Sequence, residues 1–90
     1  MIRTLRRTSQ FKRDYKQCIR RHYDMKLIDD VMRDLALGKQ LDPKYHDHKL
    51  IGDYKGARDC HILNDWILIY NLTGTEVRLL RTGTHSDLLE

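Results

Sequence analysis

The sequence predicts an α+β fold in which an N-terminal helical hairpin packs on an antiparallel β-sheet. Three observations predict it: apolar residues at helical spacing before Leu41, strand-like apolar runs after Gly56, and hairpin-type turn residues between those runs. A chain of 90 residues supports one domain, here 1–90. Such a domain buries roughly 60–65% of its unfolded surface, enough for a modest core without metal or disulfide staples. A large dinucleotide-binding fold with a second domain does not fit this length.

Residues 2–7 set Ile2 and Leu5 among Arg3, Arg6 and Arg7, a short segment compatible with a first strand. Ser9 offers a helix N-cap. Phe11, Tyr15, Cys18, Ile19 and His22 then recur on one helical face, leaving Lys12, Arg13, Lys16 and Arg20 on or beside the other. Asp24 restarts a helix with inward positions Leu27, Ile28, Val31, Met32 and Leu35, and Gly38 ends it as a C′ residue. Asp42-Pro43 marks a turn, and the stretch to Gly56 is expected to be an extended loop. Arg58–Leu63, Trp66–Leu72 and Glu76–Thr82 follow as three strands joined by Asn64-Asp65 and by Thr73-Gly74-Thr75. The middle one, apolar on both sides from Trp66 to Tyr70, is expected to be central.

Charge is divided unevenly. Residues 1–23 hold eight bases and one acid, a net of +7, while the other 67 hold nine bases and twelve acids, a net of −3. A basic end on a mildly acidic body suits a protein that meets nucleic acid or an acidic partner. The composition, 40% hydrophobic with one proline and five glycines, is globular. The apolar run Trp66–Tyr70 is far too short for a membrane span, and the charged N-terminus lacks the apolar core of a secretory signal, so a cytoplasmic chain without membrane partners is expected. Cys18 and Cys60 lack paired or zinc-type spacing and are expected to be reduced, partly buried thiols.

Four of the five histidines, His46, His48, His61 and His85, fall in the second half, with Asp65, Arg58 and Arg81 at loop edges and strand ends. Several imidazoles, a carboxylate and an arginine on one sheet rim are the components for acid–base cleavage of a phosphodiester. RNA breaks without metal when one group takes the 2′-OH proton, another protonates the leaving 5′-oxygen, and a cation steadies the charged phosphorane. Histidine suits both proton roles because its ordinary pKa is about 6.5.

Bland readings compete. Each histidine taken singly is more commonly a surface residue, and His22 closes a helical face as a structural group. His46-Asp47-His48 would put two imidazoles on one face of an extended chain, but no nearby Cys or Glu completes a metal set, so no metal is expected. Arg58-Asp59 has the makings of a plain cross-strand ion pair. Trp66 is more often core than a stacking platform, although its turn-edge position leaves stacking open.

Three strings carry a family resemblance: His48-Lys-Leu50-Ile-Gly52-Asp-Tyr54-Lys-Gly56-Ala-Arg58-Asp59-Cys60-His61, then Asp65-Trp66-Ile-Leu-Ile-Tyr70, then Arg81-Thr-Gly83-Thr-His85-Ser-Asp-Leu88. In this order and spacing they closely resemble the YafQ-like branch of the RelE/ParE superfamily of bacterial type II toxins, across essentially the whole chain. The resemblance implies a RelE-like fold and a ribosome-dependent endoribonuclease that cuts messenger RNA in the A site without metal or cofactor. It implies functional positions at His48, His61, Asp65, Trp66 and His85. His85 is then expected to act as general acid, His48, His61 and Asp65 to activate the 2′-OH and position the nucleotide, and Arg81 to stabilise the phosphate. Lys49, Arg58 and Trp66 complete the expected RNA contacts. Lys12, Arg13, Lys16 and Arg20 are expected to meet ribosomal RNA or a cognate acidic antitoxin, with operator DNA bound only through the antitoxin complex. One departure stands out: the family often places an aromatic residue where this chain has Leu89.

Two alternatives stay open at this level. A superfamily member that inhibits a target such as DNA gyrase by binding would not need the histidine rim, and a plain RNA-binding module would use the basic helix for phosphate contacts alone.

Overall fold

The computed structural model describes residues 2–50 and 56–89, with the backbone alone at Leu89. The elements run β1 (Thr4–Arg7), α1 (Ser9–Arg20), α2 (Met25–Ala36), a 3-10 turn (Pro43–Tyr45), β2 (His48–Lys49), β3 (Arg58–Leu63), β4 (Trp66–Leu72), β5 (Glu76–Gly83) and α3 (His85–Leu89). The α+β expectation holds, with the helical hairpin on a five-stranded sheet ordered β1-β5-β4-β3-β2.

The sheet is mixed rather than wholly antiparallel. β2 through β5 pair antiparallel, but β1 runs parallel to β5, with Leu5 opposite Val77. The helical hairpin lies between β1 and the rest of the sheet in sequence, and this long connection lets β1 join in the same direction as β5. The short segment at residues 2–7 is therefore an edge strand, and an ion pair between Arg6 and Glu76 spans the pairing.

Helix ends follow cap chemistry. The α1 N-cap is Thr8, not Ser9: Thr8 is extended, its Oγ1 accepts the Phe11 amide at 3.0 Å, and its own amide still bonds Leu79 on β5. At the other end His22 takes a left-handed conformation (φ 61°) while its amide bonds Ile19 O and the Tyr23 amide bonds Cys18 O, a Schellman closure. His22 is thus an exposed capping residue rather than part of the inward face, and Ile19 is also exposed. Asp24 caps α2, and Gly38 (φ 76°) closes it as expected, its amide on Leu35 O and the Lys39 amide on Asp34 O.

β4 is central and buries Trp66 through Tyr70 completely or nearly so. Its alternation divides the core. Trp66, Leu68 and Tyr70 lie beneath the helices with Phe11, Cys18, Ile28, Val31 and Leu35, whereas Ile67 and Ile69 lie on the opposite face with Ala57, Leu88 and the flank of Leu80. Both cysteines are free and fully buried, and burial pushes the Cys60 thiol well above its ordinary range. No helix among the described residues is long and apolar enough to cross a membrane.

Two elements were absent from the sequence expectation. Within the expected loop after Leu41, His48 and Lys49 form a strand opposite Asp59 and Arg58. After β5, Thr84 starts a short helix by a reciprocal cap: the Thr84 amide donates to Asp87 Oδ2 at 2.9 Å, and the Asp87 amide donates to Thr84 Oγ1 at 3.1 Å. Both are too short to leave a periodic signal.

Candidate active site

The face of the sheet opposite the helical hairpin collects the histidines. Asp59 and His61 alternate along β3 with Cys60 and Ile62, which enter the core beneath the helices, so the first pair points to the other side. β2 brings His48 opposite Asp59. α3 brings His85 over the end of the sheet. The His61 ring lies 5.3 Å from that of His85, 5.8 Å from that of His46 and 6.3 Å from that of His48, centroid to centroid. His61 is the hub of a four-imidazole cluster.

Asp65 holds His85. One carboxylate oxygen, Oδ1, accepts the His85 backbone N–H at 2.9 Å and faces its Nδ1 at 2.7 Å. The backbone hydrogen bond and then the side-chain one keep the Asp65 carboxyl below its ordinary range, hence ionised. Nδ1 then carries the donated proton, and Nε2 is the ring nitrogen left for a substrate.

His48 sits between two acceptors. Its Nδ1 is 2.7 Å from the carbonyl oxygen of His46, and its Nε2 is 3.0 Å from Oδ1 of Asp59. A carbonyl cannot donate, so Nδ1 carries the proton of that bond, and Nε2 stands beside the Asp59 carboxyl. The contact at Oδ1 is close but out of line, leaving that buried oxygen without a directed donor. Burial raises the Asp59 carboxyl, and His48, His61 and His85, each an imidazole facing it, pull in the other direction. Asp59 is therefore a buried acceptor beneath the cluster that sequence reading treated only as a partner for Arg58. Its signal was available: Asp59 and His61 are two apart on a strand, and so share a face.

Asp47 anchors the segment between His46 and His48. It accepts Arg58 Nε at 3.2 Å and Nη2 at 3.1 Å, and the Tyr70 hydroxyl at 2.5 Å. Arg58 thus pairs with Asp47 rather than Asp59, and its fork is taken up holding β2 to the sheet. Among the described residues no group of three or more His, Cys, Asp or Glu side chains is arranged to hold a metal ion.

The remaining expected site residues fall in different places. Trp66 is 2% exposed, and its Nε1 donates to Thr82 Oγ1 at 2.9 Å inside the core. Its ring offers no face to a nucleobase, so the stacking expectation is corrected: Trp66 supports the site from below. Arg81 directs Nε and Nη2 to the Asp14 carboxylate at 2.7 and 3.3 Å, at the edge of β5 against α1. Any phosphate it met would share it with Asp14. Lys49 is exposed on β2. Lys12, Arg13, Lys16 and Arg20 are all exposed on α1, the two arginines bonded to Gln10 and Gln17. Gly52 and Tyr54 of the first motif lie outside the described residues, as does the side chain of Leu89.

A helical hairpin on a mixed sheet, with histidines and carboxylates gathered at one rim of the opposite face, places the domain in the RelE-like class. Comparison with known proteins narrows this. Residues 3–90 match the family model described as the bacterial toxin of type II toxin-antitoxin systems, YafQ, and the chain belongs to that family. It is 41% identical over 87 residues to the mRNA interferase toxin YafQ of Escherichia coli K12, covering 96% of this chain and 95% of that one. The YafQ chain in the crystal structure of the E. coli DinJ-YafQ toxin-antitoxin complex superposes with a TM-score of 0.93 at 40% identity, each chain covered in full. A metal-bound toxin from Helicobacter pylori superposes at 0.89 with 35% identity, over 99% of this chain and 100% of that one.

Proposed function

We propose that the protein is an mRNA interferase that cleaves message in the ribosomal A site by metal-independent acid–base chemistry. The observation that carries this is the convergence of His48, His61 and His85 on one rim with His85 held by Asp65. The relative named mRNA interferase supports the reaction class.

In this reading His61 takes the 2′-OH proton, the 2′-oxygen attacks phosphorus, and His85 Nε2 protonates the departing 5′-oxygen. The products are a 2′,3′-cyclic phosphate and a 5′-hydroxyl end. His48, on the same rim as His61, positions the phosphate, whereas Lys49, next to it on β2, projects to the opposite face of the sheet and would meet RNA away from the phosphorane. Asp65 orients His85, so it acts through that ring rather than as a separate base. Acid and base steps of this kind contribute roughly 100- to 10,000-fold each.

The basic outer face of α1, with Lys12, Arg13, Lys16 and Arg20, serves as the footing on ribosomal RNA phosphates and as a receiver for an acidic antitoxin. The E. coli relative solved with the antitoxin DinJ supports a partner of that kind. Operator DNA is then reached only through the antitoxin complex. The test is cleavage of message on purified ribosomes with and without a chelator. In-frame cutting that persists in chelator is expected; cutting that stops would assign the chemistry to a metal, and intact messages with DNA damage would point to a gyrase inhibitor.

A further inference from the structure

Beside the histidine cluster, on the other side of His61, a pocket of about 540 Å3 opens between α2, the 3-10 turn and the end of β3. His61 and Asp65 line both it and the proposed cleavage rim. A phosphate held at that rim must send one of its flanking nucleosides into neighbouring space, and this pocket begins there. Its volume falls within the roughly 300–1,000 Å3 of small-molecule sites.

The lining suits a flat group with apolar faces and a polar edge. Leu27 and the half-buried ring of Tyr45 provide apolar wall, and Leu63 adds an aliphatic side chain that is 55% exposed, which its own fold does not use. Asn64, exposed in the β3–β4 turn, presents an amide able to pair with a base edge, and Lys44 adds a cation with its ammonium over the Tyr45 ring at 5.1 Å. The strand edge adds more. β2 pairs β3 only at Arg58 and Asp59, so among the described residues no strand pairs with the outer edge of β3 from Cys60 to Leu63. Backbone donors and acceptors on that edge are placed to read a base.

We propose that this pocket takes the base of one nucleotide flanking the scissile phosphate and thereby sets which sequences are cut. The inference rests on the nuclease reading above. A phosphate site would lack so much apolar wall, and the catalytic histidines supply no base discrimination of their own.

The experiment measures kcat/KM on ribosomes programmed with messages carrying each of the four bases at each position around the cut, for the wild type, Asn64→Ala and Tyr45→Leu. Asn64 lies in an exposed turn, and the leucine keeps apolar bulk at 45, so both variants are chosen to fold; thermal midpoints check this. At one position the ratio between best and worst base is expected to fall about tenfold or more, with preferences elsewhere unchanged. Rates that fall equally for every base, or a preference profile identical to wild type, would overturn the proposal. So would variants that keep the profile but escape neutralisation by the antitoxin, since the pocket would then belong to a polypeptide. A wild type that cuts no message is a separate result, and it would sink the nuclease reading itself.

Discussion

Nδ1 of His85 lies 2.7 Å from Oδ1 of Asp65 across 20 residues of sequence, and the same oxygen accepts the His85 amide. The carboxylate therefore fixes both the ring and the backbone at the start of α3. In the proposed mechanism His85→Gln removes the proton donor and is expected to lower kcat by at least about 100-fold. Asp65→Asn keeps an acceptor for the amide but loses the charge, and a smaller fall, about 10- to 100-fold, is expected. Single-turnover cleavage on ribosomes separates the two. Equal and small effects would remove His85 from the chemistry.

Asp59 is buried, with its carboxyl raised by loss of water. A folded-state pKa above the unfolded one means that the acid form is favoured by folding, so this residue's contribution to stability is present at low pH and lost as pH rises through the folded value. The neutral isostere Asp59→Asn is expected to raise the thermal midpoint by a few degrees at pH 7, about 1 kcal/mol, and to give little change near pH 4. Activity should fall at the same time because His48 loses the carboxylate 3.0 Å from its Nε2. Melting curves at the two pH values check the first statement.

Asp87 behaves with the opposite sign. Arg21 Nη1 and Nη2 reach its two oxygens at 2.6 and 3.2 Å, and this pair, followed by the Thr84 amide, holds the carboxyl well below the usual carboxylate range. The pair ties α3 to the end of α1. Its stabilisation is present above the unfolded carboxyl pKa of about 4 and is lost as pH falls through the lower folded value. Asp87→Asn is expected to cost about 0.5–1 kcal/mol between pH 5 and 7 and progressively less below pH 4, read from denaturant melts. Gly83→Ala should act in the same direction, because a Cβ there would stand 2.8 Å from Asp87 Oδ2.

Trp66→Phe separates support from stacking. The buried Nε1–H to Thr82 Oγ1 bond would be lost, leaving Thr82 to its bond with Ile67 O, and a destabilisation of about 1–3 kcal/mol is expected in urea unfolding. Specific activity well below the thermal midpoint should not change. A fall in kcat/KM at unchanged stability would return Trp66 to the RNA.

What was legible in sequence follows from signal length. α2 and β3 to β5 carry enough residues for their period to show, and their bounds lie within a residue or so of expectation. α1 was also legible, but its final face was overread, because His22 is an apolar-spaced residue used as a left-handed cap. A two-residue strand and a five-residue helix have no period to detect. The family motifs located His48, His61, Asp65 and His85, and the chain folds them together. Their pairings were not legible: that Asp65 belongs to His85, His48 to Asp59 and Arg58 to Asp47 depends on strand register and on a helix cap, neither of which residue spacing encodes. Trp66 takes the core place that is commoner for a tryptophan opening an apolar strand; its turn-edge position, which left stacking open, says nothing about which face the ring takes.

Mapping the 5′ ends of transcripts after brief expression of the wild type and His85→Gln bears most directly on the nuclease assignment. New ends in reading-frame register, carrying 5′-hydroxyls, are expected with the wild type and absent with the variant. Growth arrest without new ends, or the same ends in both strains, would contradict it.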